Sequence, residues 1–508
     1  MKFQMQRGDI RIRHILPSVL LILGLVLNAK GQDRFDTLIS EGRALAYNVH
    51  YGQAESLFTD AERISPERAE SYYHIAQIHL WKFLGTNDQA EYSRFEKWFD
   101  VAVEKSEKIL DSNPDDYKAA YLLGETYMLR AMAGVTAHSY LNAFWAVKSA
   151  SGYFRKALKL KPDFYEAYRG VGEIHYFLDF IPGSVRWSIG LFGLEADKAK
   201  GFSELRLAYE KGTTDKIKSA LSLAQVYSNY VARYDSAEML MRGLVDRFPR
   251  NTMFNYHLAV ELIKQGHLLE AEKYLDVILD LNDPDFVLLN NLSLFLKGDI
   301  HFKLNDFREA IKYNEMFLEK TKSPDYTGIA NYRLAISYRA IGNDTLMKRS
   351  LLDAMHGNDG IYDDALAKNR SKLFLKKGIS GDELMTIEME NNIAAGQYEK
   401  AYSSLMPVVN QIRDRDTRAE AFLVLSQAAI HLGKFSEGTQ FAAMADSIDH
   451  GDDEWIEPMS WYLTALGNYR LGNLPSARRF LDKAKDTSEY KSNNILNALL
   501  NNLATHLN

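Results

Sequence analysis

Residues able to do chemistry are present in this chain, but their spacing argues against a reaction. The closest His pair, His74 and His79, is five apart, which puts the two rings on different faces of a helix. Glu173 and His175 are two apart and diverge in the same way. No His-Glu-x-x-His, Glu-x-x-His pair or acidic calcium loop occurs, so no metal is expected. No Gly-x-Ser-x-Gly nucleophile turn occurs either. Gly170-Val171-Gly172 lacks a preceding strand and reads as close helix packing rather than a phosphate loop. Asp179 sits among Phe177, Leu178, Phe180 and Ile181, where burial would raise a carboxyl. Capping the turn at Pro182 and Gly183 is its plainer role. The chain has no Cys, which removes disulfides, thiol catalysis, thiolate metal sites and a lipidated N-terminal Cys. The expectation is a binding protein with no catalytic residue, metal or cofactor.

Aromatic residues are the remaining candidates, because rigid rings anchor binding sites. They crowd into three segments. The first holds Trp81, Phe83, Phe95, Trp98 and Phe99. The second holds Met132, Val135, His138, Tyr140, Phe144 and Trp145. The third runs from Phe177 through Phe180, Ile181, Pro182, Val185, Trp187, Ile189, Leu191 and Phe192 to Leu194. Two readings apply: the segments extend helices and bury their rings together, or part of the surface stays open as a partner groove. On the second reading His138, Tyr140, Trp145, Phe180 and Trp187 are the partner-binding residues.

The elements that must position these rings follow from a recurring spacing. An Ala precedes a Pro by twelve residues four times: Ala54 to Pro66, Ala102 to Pro114, Ala150 to Pro162 and Ala237 to Pro249. The Ala lets two helices approach closely, and the Pro stops the second helix before the next unit. The pattern resembles the tetratricopeptide repeat, whose small and large residues recur at fixed offsets. It fits 35–68, 252–285, 328–360, 419–451 and 458–490, with weaker copies near 291 and 382. The predicted fold is all-α: a solenoid of about eleven helical hairpins.

Three consecutive hairpins are too long. The frame wants twelve residues between the small residue of helix one and that of helix two. Gln77 to Ala102 is 25, Gly124 to Ala150 is 26 and Gly172 to Gly201 is 29. These surpluses define insertions near 82–98, 131–149 and 177–197, which should project from one edge of the solenoid. Trp98, Trp145 and Trp187 would then share a cluster. The first array would run over 32–356. Gly, Asn and Asp at both ends of 357–381 suggest a joint. A second array would fill 382–508. There Ile495, Leu496, Leu499, Leu500 and Leu503 line one face of a terminal capping helix.

Residues 1–31 read as a secretory signal peptide. Lys2, Arg7, Arg11 and Arg13 lead an apolar run from Ile15 to Leu27, and Ala29-Lys30-Gly31 supplies a small-x-small cleavage site. The run is too short for a comfortable membrane span. The chain carries a formal charge of −6, and loss of the basic leader leaves the remainder more acidic. An acidic body without a basic block argues against nucleic acid and anionic lipid.

The motifs Tyr176-Phe177-Leu178-Asp179-Phe180-Ile181-Pro182, Gly190-Leu191-Phe192-Gly193 and Lys200-Gly201-Phe202-Ser203-Glu204-Leu205 resemble the tetratricopeptide-repeat-protein-39 and inclusion-body-clearance family over about 110–260. The resemblance implies a helical scaffold without catalysis, linked to lipid-rich bodies and organelle membranes. The secretory leader departs from it and points to a bacterial envelope relative. The function expected is an exported scaffold binding a protein or peptide in the periplasm or cell envelope, with extracellular release as the variant. The alternatives are a peripheral, non-spanning membrane or lipid-associated protein and a glycan-capture protein. The first is weakened because Arg186 is the sole base of 177–194. The second is weakened by the missing lipidated Cys.

Overall fold

The computed structural model describes residues 33–179, 190–448, 455–486 and 494–507, and the regular elements in them are helices. Their contacts divide the chain into two units, Met1–Gly212 and Thr213–Asn508. In the first unit α1 covers 33–47. It is followed by α2 (Tyr51–Ile64), α3 (Glu70–Thr86), α4 (Gln89–Ser112), α5 (Tyr117–Thr136), α6 (Tyr140–Leu160), α7 (Glu166–Leu178) and α8 (Lys198–Lys211). The second unit begins with α9 (Lys216–Asn229), α10 (Tyr234–Arg247), α11 (Thr252–Lys264), α12 (Leu268–Leu281), α13 (Val287–Lys303) and α14 (Phe307–Lys320). It continues with α15 (Thr327–Ala340), α16 (Asp344–Asp353), α17 (Tyr362–Lys377), α18 (Gly381–Ala394) and α19 (Tyr398–Leu405). It closes with α20 (Arg415–His431), α21 (Phe435–Ser447), α22 (Ile456–Arg470), α23 (Leu474–Lys485) and α24 (Asn494–Leu507). Among the described residues, no helix is long and apolar enough to cross a membrane.

Successive helices pack as tetratricopeptide-like antiparallel pairs, and the recurring residues do the work expected of them. Ala54, Ala102, Ala150 and Ala237 are fully buried. Helices α2, α4, α6 and α10 each stop two residues before their Pro. The freed Pro carbonyl is then reused. Tyr72, Tyr168 and Asn255, each six residues on, donate to the carbonyls of Pro66, Pro162 and Pro249 at 3.0, 3.3 and 3.0 Å. Phe154 is wedged between two glycines: a Cβ at Gly124 would lie 2.6 Å from its ring and one at Gly170 2.2 Å. Close helix packing is therefore what Gly170 provides.

The first two surplus segments are not loops. They lengthen both helices of their hairpin: α4 has 24 residues, α5 20 and α6 21, against 14 for α10. At ~1.5 Å per residue the long helices outreach the ordinary ones by roughly 10–15 Å. The first extension is core, with Phe83, Phe95 and Phe99 buried. Trp98 stacks on Tyr72 at 6.1 Å, whereas the described ring partners of Trp145 are Phe144 and Phe192. The cluster expected around Trp98 and Trp145 is therefore two separate clusters. Trp187 lies outside the described residues.

The segment 357–381 holds the 16-residue α17 and is packed down. Asp364 accepts the backbone N–H of Ile329 at 2.8 Å and of Asn358 at 3.0 Å. A Cβ at Gly357 would lie 2.7 Å from the Gly328 nitrogen, so this glycine serves close approach rather than a hinge. The contact division falls instead between Gly212 and Thr213.

Helix α24 buries Leu496, Leu500, Leu503 and Leu507, while Ile495, expected on the same face, is exposed because it falls off that stripe. It also ties the end of the second unit to that unit's start. Asn501 and Asn502 donate to the carbonyls of Tyr230 and Val231, at 3.1 and 2.7 Å. Midway, Asn391 on α18 donates to the Phe302 carbonyl at 2.9 Å. The second unit is thus a solenoid closed on itself.

Candidate functional site

The α5–α6 turn presents the aromatic residues that the sequence singles out. Gly134 brings the helices together, since a Cβ there would lie 3.1 Å from Ala143. Close backbones leave the larger side chains pointing outward. His138 turns the chain with φ 56°, a left-handed conformation that His tolerates better than most residues. Its Nδ1 lies 3.1 Å from the Tyr140 hydroxyl. One turn and a half along α6, the Trp145 ring meets Phe144 at 5.5 Å and Phe192 at 5.6 Å. Phe144 and Phe192 close the triangle at 5.2 Å. The Lys148 ammonium sits 4.8 Å from the Trp145 ring centroid.

Most of these groups face solvent, while Phe144 is half-buried against the core. Tyr140 is 63% exposed, Leu141 69%, Leu191 75% and Trp145 45%, with Met132, Val135 and Phe177 also exposed. Three of the five singled-out residues, His138, Tyr140 and Trp145, thus lie along one turn and its following helix. Phe180 and Trp187 lie outside the described residues. Asp179 pairs with Lys198 at 3.0 Å. Glu173 and His175 are also used internally. Arg169 bonds Glu173 at 2.7 Å and also pairs with Glu125, while His175 Nδ1 contacts Glu204 at 2.6 Å.

A second candidate was not singled out by sequence. In the second unit a cavity of about 230 Å³ lies between α9, α10 and α11. Helix α9 contributes Leu221, Ala224, Gln225 and Asn229, and α10 contributes Met241. Helix α11 contributes Tyr256, His257, Val260, Glu261 and Lys264. The Asn251 side chain caps α11 by accepting the Phe254 N–H at 3.0 Å, which sets its register. Phe254, Leu258 and Leu262 then enter the core. His257, Glu261 and Lys264 fall at spacings of four and three on the other face.

Lys264 is held at three points. It donates to the hydroxyl of Ser228 at 2.5 Å and to Asn229 Oδ1 at 3.3 Å, and it faces Glu261 Oε1 at 3.6 Å. Glu261 Oε2 makes no hydrogen bond, although its side chain is only 8% exposed. Burial raises the Glu261 carboxyl and lowers the Lys264 ammonium. Burial, then the Lys264 charge, brings His257 down to about 4, so its ring is neutral near pH 7. Burial, then Glu261, pushes Tyr234 up to about 12. In the sequence these are three titratable residues at helical spacing on the first helix of a repeat, a pattern shared by solvated helix faces.

No known family model matches the chain, and no curated protein matches it. Several solved structures overlap it in part. The P58(IPK) TPR domain is 15% identical, spans 86% of this chain and 98% of its own, and superposes with a TM-score of 0.21. Yeast Tom70 is 13% identical over 94% of this chain and 97% of its own, at 0.25. The Cut9–Hcn1 hetero-tetramer of APC/C gives 14% identity over 93% and 96%, at 0.26.

Proposed function

We propose that this chain is an exported, non-enzymatic helical-repeat scaffold of the bacterial cell envelope that holds a protein or peptide partner on the α5–α6 edge. The observation that carries this reading is the ring triangle in which exposed Trp145 and Phe192 sit on half-buried Phe144, extended by exposed Tyr140, Leu141 and Leu191. Large amphipathic rings supply contact area at low entropic cost and dominate interface energies. A scaffold without catalysis also agrees with the resemblance of about 110–260 to the tetratricopeptide-repeat-protein-39 family. Export rests on the leader motif over 1–31.

Two experiments test the reading. Mass analysis of the protein from its native host should find an N-terminus at or near Gln32, and an intact Met1 would contradict export. The double variant Tyr140→Ala, Trp145→Ala should keep its helical circular dichroism and lose the partner that the parent chain retains from the envelope fraction. Retention of that partner by the folded variant would remove the edge from consideration.

A further inference from the structure

We propose that the cavity between α9 and α11 binds a neutral, hydroxyl-rich small molecule the size of one sugar ring. This site is independent of the partner-binding edge. Size sets the first limit. Drug-sized ligands occupy about 300–1,000 Å³, and this cavity holds about 230 Å³. It fits a single ring rather than an extended chain.

Charge sets the second limit. Glu261 and Lys264 face each other at 3.6 Å, so their charges offset. Lys264 donates to Ser228 and Asn229 and faces Glu261 at 3.6 Å, so its charge is already matched. An anion would find no free cation. A cation would meet the Lys264 charge and lose its hydration.

Hydrogen bonding then selects the ligand. Glu261 Oε2 makes no hydrogen bond, while Ser228 and Lys264 engage the same carboxyl. Leaving such a group unmet costs on the order of 1–3 kcal/mol or more. His257, neutral near pH 7, offers one donor and one acceptor. The Gln225 carboxamide offers both. Hydroxyl groups are themselves both donor and acceptor, so a polyol can match all three at once. Leu221 and Val260 supply apolar walls for its C–H faces.

The test uses the full chain and calorimetric titration with D-glucose and myo-inositol, against n-butylammonium, acetate and inorganic phosphate. At least one polyol should bind with Kd near or below about 10 mM. Glu261→Gln replaces a charged acceptor by a neutral one and should weaken that polyol about tenfold or more. Gln225→Met leaves the charge pair intact and should weaken it comparably, so it decides the matter where Glu261→Gln does not fold. Polyol binding weaker than about 10 mM would overturn the proposal. So would tighter binding of the ammonium, acetate or phosphate, or polyol affinity unchanged in the folded variants.

Discussion

The α5–α6 edge and the α9–α11 cavity depart from an ordinary repeat in opposite ways. The edge exposes large apolar rings where water should see polar groups. The cavity buries titratable groups where a helix pair should be apolar. Both are built from helical hairpins of one kind. In the first unit the hairpin has grown, and Tyr140, Leu141 and Trp145 near its tip stay exposed. In the second unit the hairpin has ordinary length, and three polar residues on α11 face the interior. A repeat can therefore create a site by adding length or by changing one helix face, and only the first leaves a mark in the spacing.

Several measurements can break or sharpen this contrast. The largest effect belongs beneath the edge. Phe154 is fully buried between two glycines. Phe154→Ala should cost ~3–5 kcal/mol in denaturant unfolding of the first unit. Gly170→Ala should cost ~1–3 kcal/mol through overpacking. That exceeds the ~1 kcal/mol of helix propensity that Ala contributes. Stability unchanged by either would mean that the ring is not gripped as described.

The next effect separates the units by pH. Burial pushes His79 down, but Glu55 and Glu91 outweigh it and raise the ring above 6.5. Its contribution is present below 6.5 and is lost as pH rises through the raised value. His257 moves the other way, from 6.5 to about 4, so its contribution is present above 6.5 and lost as pH falls toward 4. Between pH 7.5 and 5.5, hydrogen exchange should show α3 gaining protection while α11 loses it. The loss should be about 1 kcal/mol per pH unit below 6.5. His257→Asn should flatten the α11 response. Parallel changes in the two helices would erase the distinction.

The smallest effects are expected at the surface. Trp145→Ala should cost no more than about 1 kcal/mol, since the ring is half exposed. Asn502→Ala removes one neutral hydrogen bond to Val231 and should cost ~0.5–1.5 kcal/mol of second-unit stability. A larger loss at Trp145 than at Phe154 would invert the assignment of edge and core.

Legibility in the sequence followed the range of the interaction. Ala54, Ala102, Ala150 and Ala237 could be read because close helix approach demands a small residue at a fixed step. The C-terminal face of Leu496, Leu500 and Leu503 was readable from its helical period, which failed only to place Ile495. The long hairpins were visible as surplus residues. Which of their rings would be buried was not, because Phe95 and Trp145 have similar local surroundings and differ only in what packs on them. Gly357 looked like a hinge because the sequence does not reveal that Gly328 and Asp364 crowd it. Glu261 and Lys264 look like any solvated pair on a helix. Only long-range packing turns that face inward.

The most direct measurement is site-specific photocrosslinking in the native host. A photoreactive side chain would replace Leu141 on the edge or Met239 on α10, which are 69% and 65% exposed. The expected result is one discrete adduct from position 141, absent from position 239 and abolished by Trp145→Ala. Equal adducts from both positions, or an adduct at 141 that survives Trp145→Ala, would contradict a partner held by the aromatic edge.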